Sequence, residues 1–231
     1  MPDWRTIPLA RLFHNGLNVQ RYFFYNDEDG HGSFQSFLAQ YRAAPAWHVE
    51  DYGIFVRLSA AVADRRIIIY ANTPTDDGER ATDLERLMQQ HGIPPQVIVH
   101  RGHSPYVAET IARMPRTTAL VYLGNCGGYT LLDSVFHQAP EAQVITTIGV
   151  GTITVNDPFL KELNEYLLRG TEGSWAAFWQ RAATRLGHNP RFADYVAPDH
   201  NAGALFLRAY RTFLEHLNID EGPRAAGGNV G

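Results

Sequence analysis

The sequence predicts an α/β domain with a mostly parallel central sheet and helices on both faces. Three short apolar segments, Gln96–Val99, Ala119–Leu123 and Gln143–Thr147, are each followed by a helical pattern or a turn that leads into one. Strands covered on both faces of a parallel sheet are typically continuous apolar runs of this kind. The hydrophobic content of 45% and the aromatic content of 12% suffice for a full core.

Local patterns predict the other elements. Arg21–Tyr25 favours a strand that ends at the turn Asn26–Gly30, and the loop Ala63–Arg65 joins two apolar runs as a hairpin. We expect a helix after Ser33, which can cap it. Further helices are predicted at Ala81–His91, Tyr106–Met114, Tyr129–Gln138, Leu160–Leu168, Trp175–Leu186 and Ala204–Leu217. We expect one domain over residues 1–218, helical from about residue 158, and a disordered tail at 219–231.

Composition argues against several classes of partner. The net charge of −4 gives no electrostatic reason to expect nucleic acid or a membrane surface as a partner. The sequence has no apolar run long enough to span a membrane, and its first residues lack the order of a secretory signal. A single cysteine allows no internal disulfide, which fits a reducing cytoplasm. The sequence leaves the oligomeric state open.

Cys126 and His103 are the candidate catalytic residues. Each follows one of two successive predicted strands, and the carboxyl ends of parallel strands lie on one edge of a sheet, where ligands collect. A nearby base or a helix N-terminus favours the reactive thiolate, and His103 can supply the base. The glycines at 124, 127 and 128 permit a tight turn whose backbone N–H groups could bind an oxyanion.

Structural explanations compete with these roles. A free cysteine is most often a small buried apolar residue, although three glycines around Cys126 argue against that here. His103 could be an ordinary surface histidine, and His100 is a rival base that we expect to pack or hydrogen-bond structurally. His100 and His103 could also ligate a metal, but no partner motif such as H-E-x-x-H accompanies them. We therefore expect neither a metal nor a cofactor.

Two blocks resemble the caspase-like cysteine peptidases: Val97-Ile-Val-His-Arg-Gly-His103-Ser104 and Leu120-Val-Tyr-Leu-Gly-Asn-Cys126-Gly127. The resemblance covers residues 21 to about 157 and implies a three-layer caspase-like sandwich. It implies a cysteine endopeptidase with a protein or peptide substrate. His103 would be general base and acid, Cys126 would form the acyl-enzyme, and the N–H groups of Ser104 and Cys126 would bind the oxyanion.

Acidic residues near this edge are candidate substrate-binding residues. Asp27 and Asp29 follow the first strand, and Asp157 follows the third of the apolar segments. In the peptidases that the chain resembles, the first of these regions helps line the pocket for the residue before the cut, where carboxylates would select Arg or Lys. The alternatives, which we favour, are an acidic turn at 26–30 and a helix cap before Pro158.

Two other functions fit the same residues. Gly124-Asn125-Cys126-Gly127-Gly128 has the G-x-C-x-G form of a nucleophile elbow, as in Cys-type α/β-hydrolases or amidotransferase-like enzymes. The base would then lie downstream, at His188 or at His200 beside Asp199. A caspase-like domain in which the pair of His103 and Cys126 is catalytically inactive would instead be a binding module.

Overall fold

A computed structural model describes residues 3–75, 79–170 and 173–217. In these residues eight strands form one sheet in the order β2-β3-β4-β1-β5-β6-β7-β8. Strands β4, β1, β5, β6 and β7 are parallel, whereas β3 is antiparallel to β4, β2 to β3, and β8 to β7. The strands are β1 Leu17–Phe24, β2 His48–Asp51, β3 Phe55–Val62, β4 Arg65–Asn72, β5 Val97–Arg101, β6 Leu120–Leu123, β7 Gln143–Thr147 and β8 Tyr195–Val196.

Helices cover both faces of this sheet. They are α1 Leu9–Leu12, α2 Glu28–Arg42, α3 Glu79–Gln90, α4 Val107–Ala112, α5 Leu132–Gln138, α6 Ile153–Arg169, α7 Trp175–Leu186 and α8 Ala202–His216. Alternation along β1 shows the two faces. Tyr22 and Phe24 join the core formed with α2, α6 and α7, and Phe23 joins the core formed with α4, α5 and α8. No described helix is long and apolar enough to cross a membrane.

The predicted α/β class, the mostly parallel sheet and the hairpin β3–β4 are confirmed. Three local predictions are wrong. The turn predicted at Asn26–Gly30 is shorter, because Glu28 to Gly30 already belong to α2. Asp27 rather than Ser33 caps α2, because its carboxylate accepts from the Gly30 N–H at 2.6 Å, and Ser33 lies inside the helix. Helix α6 begins at Ile153, so Pro158 lies within it rather than at its first position. The predicted tail at 219–231 lies outside the described residues.

Asn164 of α6 connects the sheet to two helices through buried hydrogen bonds. Its Nδ2 donates to the hydroxyl of Tyr22 at 3.1 Å and to that of Tyr41 at 2.8 Å. Its Oδ1 accepts from Nε2 of Gln20 at 2.7 Å. All four side chains are buried, so each of these bonds is made without competition from water. This network fixes α6, and with it the residues at the start of α6, against β1 and α2.

We predict that Asn164→Leu lowers the free energy of unfolding by about 2–4 kcal/mol, because it leaves three buried polar groups without this partner. Urea denaturation at neutral pH measures the change. Gln35→Leu removes an exposed amide from α2 and is the matched control, with an expected change of about 0.5 kcal/mol or less. Equal effects of the two substitutions would contradict a structural role for the network.

Candidate functional site

A polar pocket of about 250 Å³ opens at the carboxyl edge of the sheet. Strands β5 and β6 are direct neighbours, and the loops that follow them bring His103, Ser104 and Cys126 to this pocket. Asp29, from the first turn of α2, and Gly151, before α6, also line it. The structure therefore places the two candidate catalytic side chains in one pocket, and the Cys126 side chain is exposed.

The turn after β6 requires glycine at position 127, and the loop that contacts this turn requires glycine at position 151. Gly127 has a φ of +65°, in the left-handed region that L side chains rarely adopt. A Cβ atom on Gly151 would lie 1.9 Å from the carbonyl oxygen of Gly124, so only glycine lets the loop after β7 approach this turn. Gly124 and Gly151 both line the pocket that contains Cys126.

Side chains hold the backbone of Cys126 in one orientation. The Ser104 hydroxyl donates to the Cys126 carbonyl at 2.9 Å, and Nδ2 of Asn125 donates to the same oxygen at 3.0 Å. The Thr147 hydroxyl donates to the Asn125 carbonyl. Within the described part of the chain, the N–H groups of Cys126 and Ser104 donate no hydrogen bond, so both remain available to a ligand.

His103 contacts a carboxylate across the pocket. Its Nε2 lies 3.2 Å from Oδ2 of Asp29, and both side chains are more than half exposed, at 53% and 57%. An ion pair this exposed contributes little to stability. The contact instead orients the His103 ring. Because Nε2 faces Asp29, Nδ1 is the ring nitrogen that does not take part in this contact.

His100 has a structural position. Its Nε2 lies 3.1 Å from the Gly102 carbonyl and 3.3 Å from that of His103, so we assign the ring hydrogen to Nε2. Its Nδ1 then accepts from the Thr110 hydroxyl at 2.7 Å. The ring is fully buried and does not line the pocket. His100 therefore shapes the loop that carries His103, as the sequence led us to expect.

A buried ion pair lies beneath the pocket. Arg101, the last residue of β5, donates from Nη2 to Oδ1 of Asp157 in α6, and both side chains are at most 2% exposed. Burial raises the pKa of Asp157 above its usual value, and the Arg101 guanidinium opposes that shift. The pair joins the end of β5 to the first turns of α6. Sequence reasoning missed Arg101; its only signal was a charged residue in an otherwise apolar strand.

Asn156 supports the glycine turn from below. Its Nδ2 donates to the Gly124 carbonyl at 2.9 Å, and its Oδ1 accepts from the hydroxyls of Tyr122 and Tyr195, both at 2.8 Å. Asn156 is buried and also lines the pocket. The sequence marked Asp157 as a substrate-binding candidate, but the amide of the preceding residue, Asn156, lines the pocket and the Asp157 carboxylate does not.

The acidic candidates have three different positions. Only Asp29 lines the pocket; Asp27 caps α2, and Asp157 is engaged by Arg101. The downstream histidines His188 and His200 do not line the pocket that contains Cys126. Among the described residues, no group of three or more His, Cys, Asp or Glu side chains could hold a metal ion.

Comparison with known proteins found no matching family model and no matching curated protein. Two of the solved structures found are a G domain and a GDP-bound protein. The G domain of the T. maritima FeoB iron transporter is 10% identical, with a TM-score of 0.34, over 66% of this chain and 98% of that one. Roco2 RocCORdC of Methanosarcina barkeri, bound to GDP, is 11% identical, with a TM-score of 0.33, over 88% of this chain and 68% of that one.

These findings correct the resemblance to caspase-like cysteine peptidases. The caspase-like assignment, the peptide-bond cleavage and the protein or peptide substrate find no support in these comparisons and are withdrawn. The alternatives based on a Cys-type hydrolase, an amidotransferase-like enzyme or an idle caspase-like module gain no support either. Two of the three acidic candidates, Asp27 and Asp157, are engaged within the protein, and only Asp29 faces the pocket.

The likeness to the G domains is too low to assign nucleotide binding to this chain. The sequence has no G-x-x-x-x-G-K-[S/T] motif, in which a lysine reaches the phosphates of a nucleotide. The only lysine, Lys161, lies in α6 and pairs with Glu165 at 2.7 Å. Any functional conclusion therefore rests on the pocket itself.

The burial of His100 predicts a pH-dependent stability. Burial lowers the pKa of His100 to about 4, whereas an unfolded histidine titrates near pH 6.5. Below about pH 6.5 this histidine becomes protonated in the unfolded chain, whereas His100 of the folded chain stays neutral down to about pH 4. The free energy of unfolding therefore decreases between these two pH values. We predict that His100 accounts for a loss of about 2 kcal/mol between pH 7 and pH 4.5.

Urea denaturation of wild type and His100→Gln at both pH values tests this prediction. Glutamine keeps a hydrogen-bond donor for the loop carbonyls but does not titrate. The variant should be less stable at pH 7 and should lose less stability on acidification. An equal loss in both proteins would show that His100 does not control the pH dependence.

Proposed function

We propose that the carboxyl edge of the sheet is the active site of an enzyme that uses the Cys126 thiol on a small polar substrate. The observation that supports this most strongly is the exposed thiol in a polar pocket shared with His103. Pockets for drug-sized ligands usually measure roughly 300–1,000 Å³. A volume of about 250 Å³ suits a compact molecule rather than an extended chain.

In this proposal His103 accepts the proton of the Cys126 thiol. Asp29 faces Nε2 of the ring, which leaves Nδ1 free to take that proton. The thiolate then bonds to an electrophilic carbon of the substrate, and the electron pair displaced from that carbon moves onto its oxygen. The imidazolium beside Asp29 holds the proton and can return it to the product.

The backbone N–H groups of Ser104 and Cys126 are suited to the charge that develops on that oxygen. Neither donates to another described residue, and the bonds from Ser104 and Asn125 to the Cys126 carbonyl fix the local backbone. Donors held in place before the reaction need no reorganisation when negative charge appears. This is the role that we propose for Ser104 and Cys126 beyond the thiol itself.

Alkylation of the protein with iodoacetamide tests the site, because Cys126 is the only thiol in the chain. We predict that His103→Ala lowers the alkylation rate at pH 7 by about tenfold or more, since the thiol loses its proton acceptor. Asp29→Asn should lower the rate by a smaller factor, because it removes the carboxylate beside Nε2 of His103 but keeps the imidazole that accepts the proton. Mass spectrometry of the intact protein over time gives the rates.

His200→Ala is the matched control, because His200 is not part of the pocket. It should leave the rate within about twofold of wild type, and Cys126→Ser should abolish labelling. The proposal fails if His103→Ala reacts as fast as wild type, or if Cys126 reacts no faster than the thiol of a short peptide. A benzyl-substituted iodoacetamide should react more slowly than the parent reagent if the pocket limits size.

A further inference from the structure

A second and larger cavity lies between α3 and α4. It measures about 800 Å³ and shares no residue with the pocket at Cys126. Its floor is the sheet, where Arg21 of β1 lies beside Ile98 of β5. Apolar side chains form much of its wall, among them Phe23, Met88, Ile93 and Met114.

The unusual feature of this cavity is the charge in its floor. The Arg21 side chain is 1% exposed, and no carboxylate in the described residues forms an ion pair with it. Its Nη1 donates to the Tyr22 carbonyl and, at 3.0 Å, to Oδ1 of Asn72, and its Nη2 donates to the Ala81 carbonyl at 3.5 Å, while its Nε has no partner. Buried charges in proteins are normally paired, because desolvation without a counter-ion is costly.

Neighbouring charges compensate Arg21 only in part. Glu85 of α3 favours its charged form, but Oε2 of Glu85 accepts from Arg113 at 2.9 Å, and Oε1 has no hydrogen-bond partner among the described residues. Burial lowers the pKa of Arg21 to about 10, so the guanidinium still carries its charge at neutral pH. The cavity is therefore lined by two cations and one anion, inside an otherwise largely apolar wall.

We propose that this cavity binds an amphipathic carboxylate, with the carboxylate toward the Arg21 guanidinium and an apolar body along Phe23, Ile98 and Met114. A carboxylate matches the planar guanidinium and supplies the missing negative charge. An aliphatic or aromatic body matches the wall, and a volume of about 800 Å³ is ample for a chain of eight to ten carbon atoms.

Octanoate, with octanol as its neutral counterpart, tests this inference in the full-length protein by isothermal titration calorimetry. We expect octanoate to bind wild type and to raise its melting temperature. Arg21→Met should weaken octanoate binding by about tenfold or more, because the charged hydrogen bond is lost. Octanol binding should change by about twofold or less, since methionine preserves the apolar floor.

A second variant covers the case in which Arg21→Met does not fold. Ala112 is exposed at the cavity rim, and Ala112→Trp should block entry and weaken both ligands. Ala39→Trp, at an exposed position of α2 on the other face, is the matched control and should bind as wild type does. No octanoate binding to wild type, equal affinity for octanoate and octanol, or unchanged binding to Ala112→Trp would each overturn the proposal.

Discussion

The ion pair between Arg101 and Asp157 is the interaction on which the candidate site depends. It joins the last residue of β5 to helix α6, and the loops that carry His103 and Gly151 leave from these two elements. Two charges removed from water cost several kcal/mol each, and their attraction offsets this cost only while both are present. Loss of either partner would therefore disturb the pocket from below, even though Asp157 does not line it.

Hydrogen bonds from uncharged side chains hold the loops on either side of that pair. His100 holds the loop after β5 through two carbonyls, and Asn156 holds the glycine turn after β6. Each supporting side chain is buried, whereas Cys126 and His103 are exposed. The pocket thus combines a rigid polar base with side chains that solvent and ligands can reach, which is the arrangement expected of a preorganised site.

Sequence patterns predicted the sheet well because its strands are apolar runs, and the direction of parallel strands was enough to bring His103 and Cys126 together. The Arg101–Asp157 pair could not be predicted, because nothing local to either residue specifies a partner 56 positions away. Pro158 misled the assignment of α6, since proline is common at the first helical position and here lies inside the helix. The peptidase resemblance rested on a few residues at two strand ends, which is too little to identify a family.

The antiparallel strands at the two borders of the sheet affect how the protein behaves toward its own copies. Strand β8 has only two residues, and β2 has four, including His48, Glu50 and Asp51. Short or charged outer strands offer few free backbone groups to an incoming strand. The apolar parallel strands, which would be prone to join other chains, lie inside these borders. The order of the strands therefore disfavours polymerisation through the sheet.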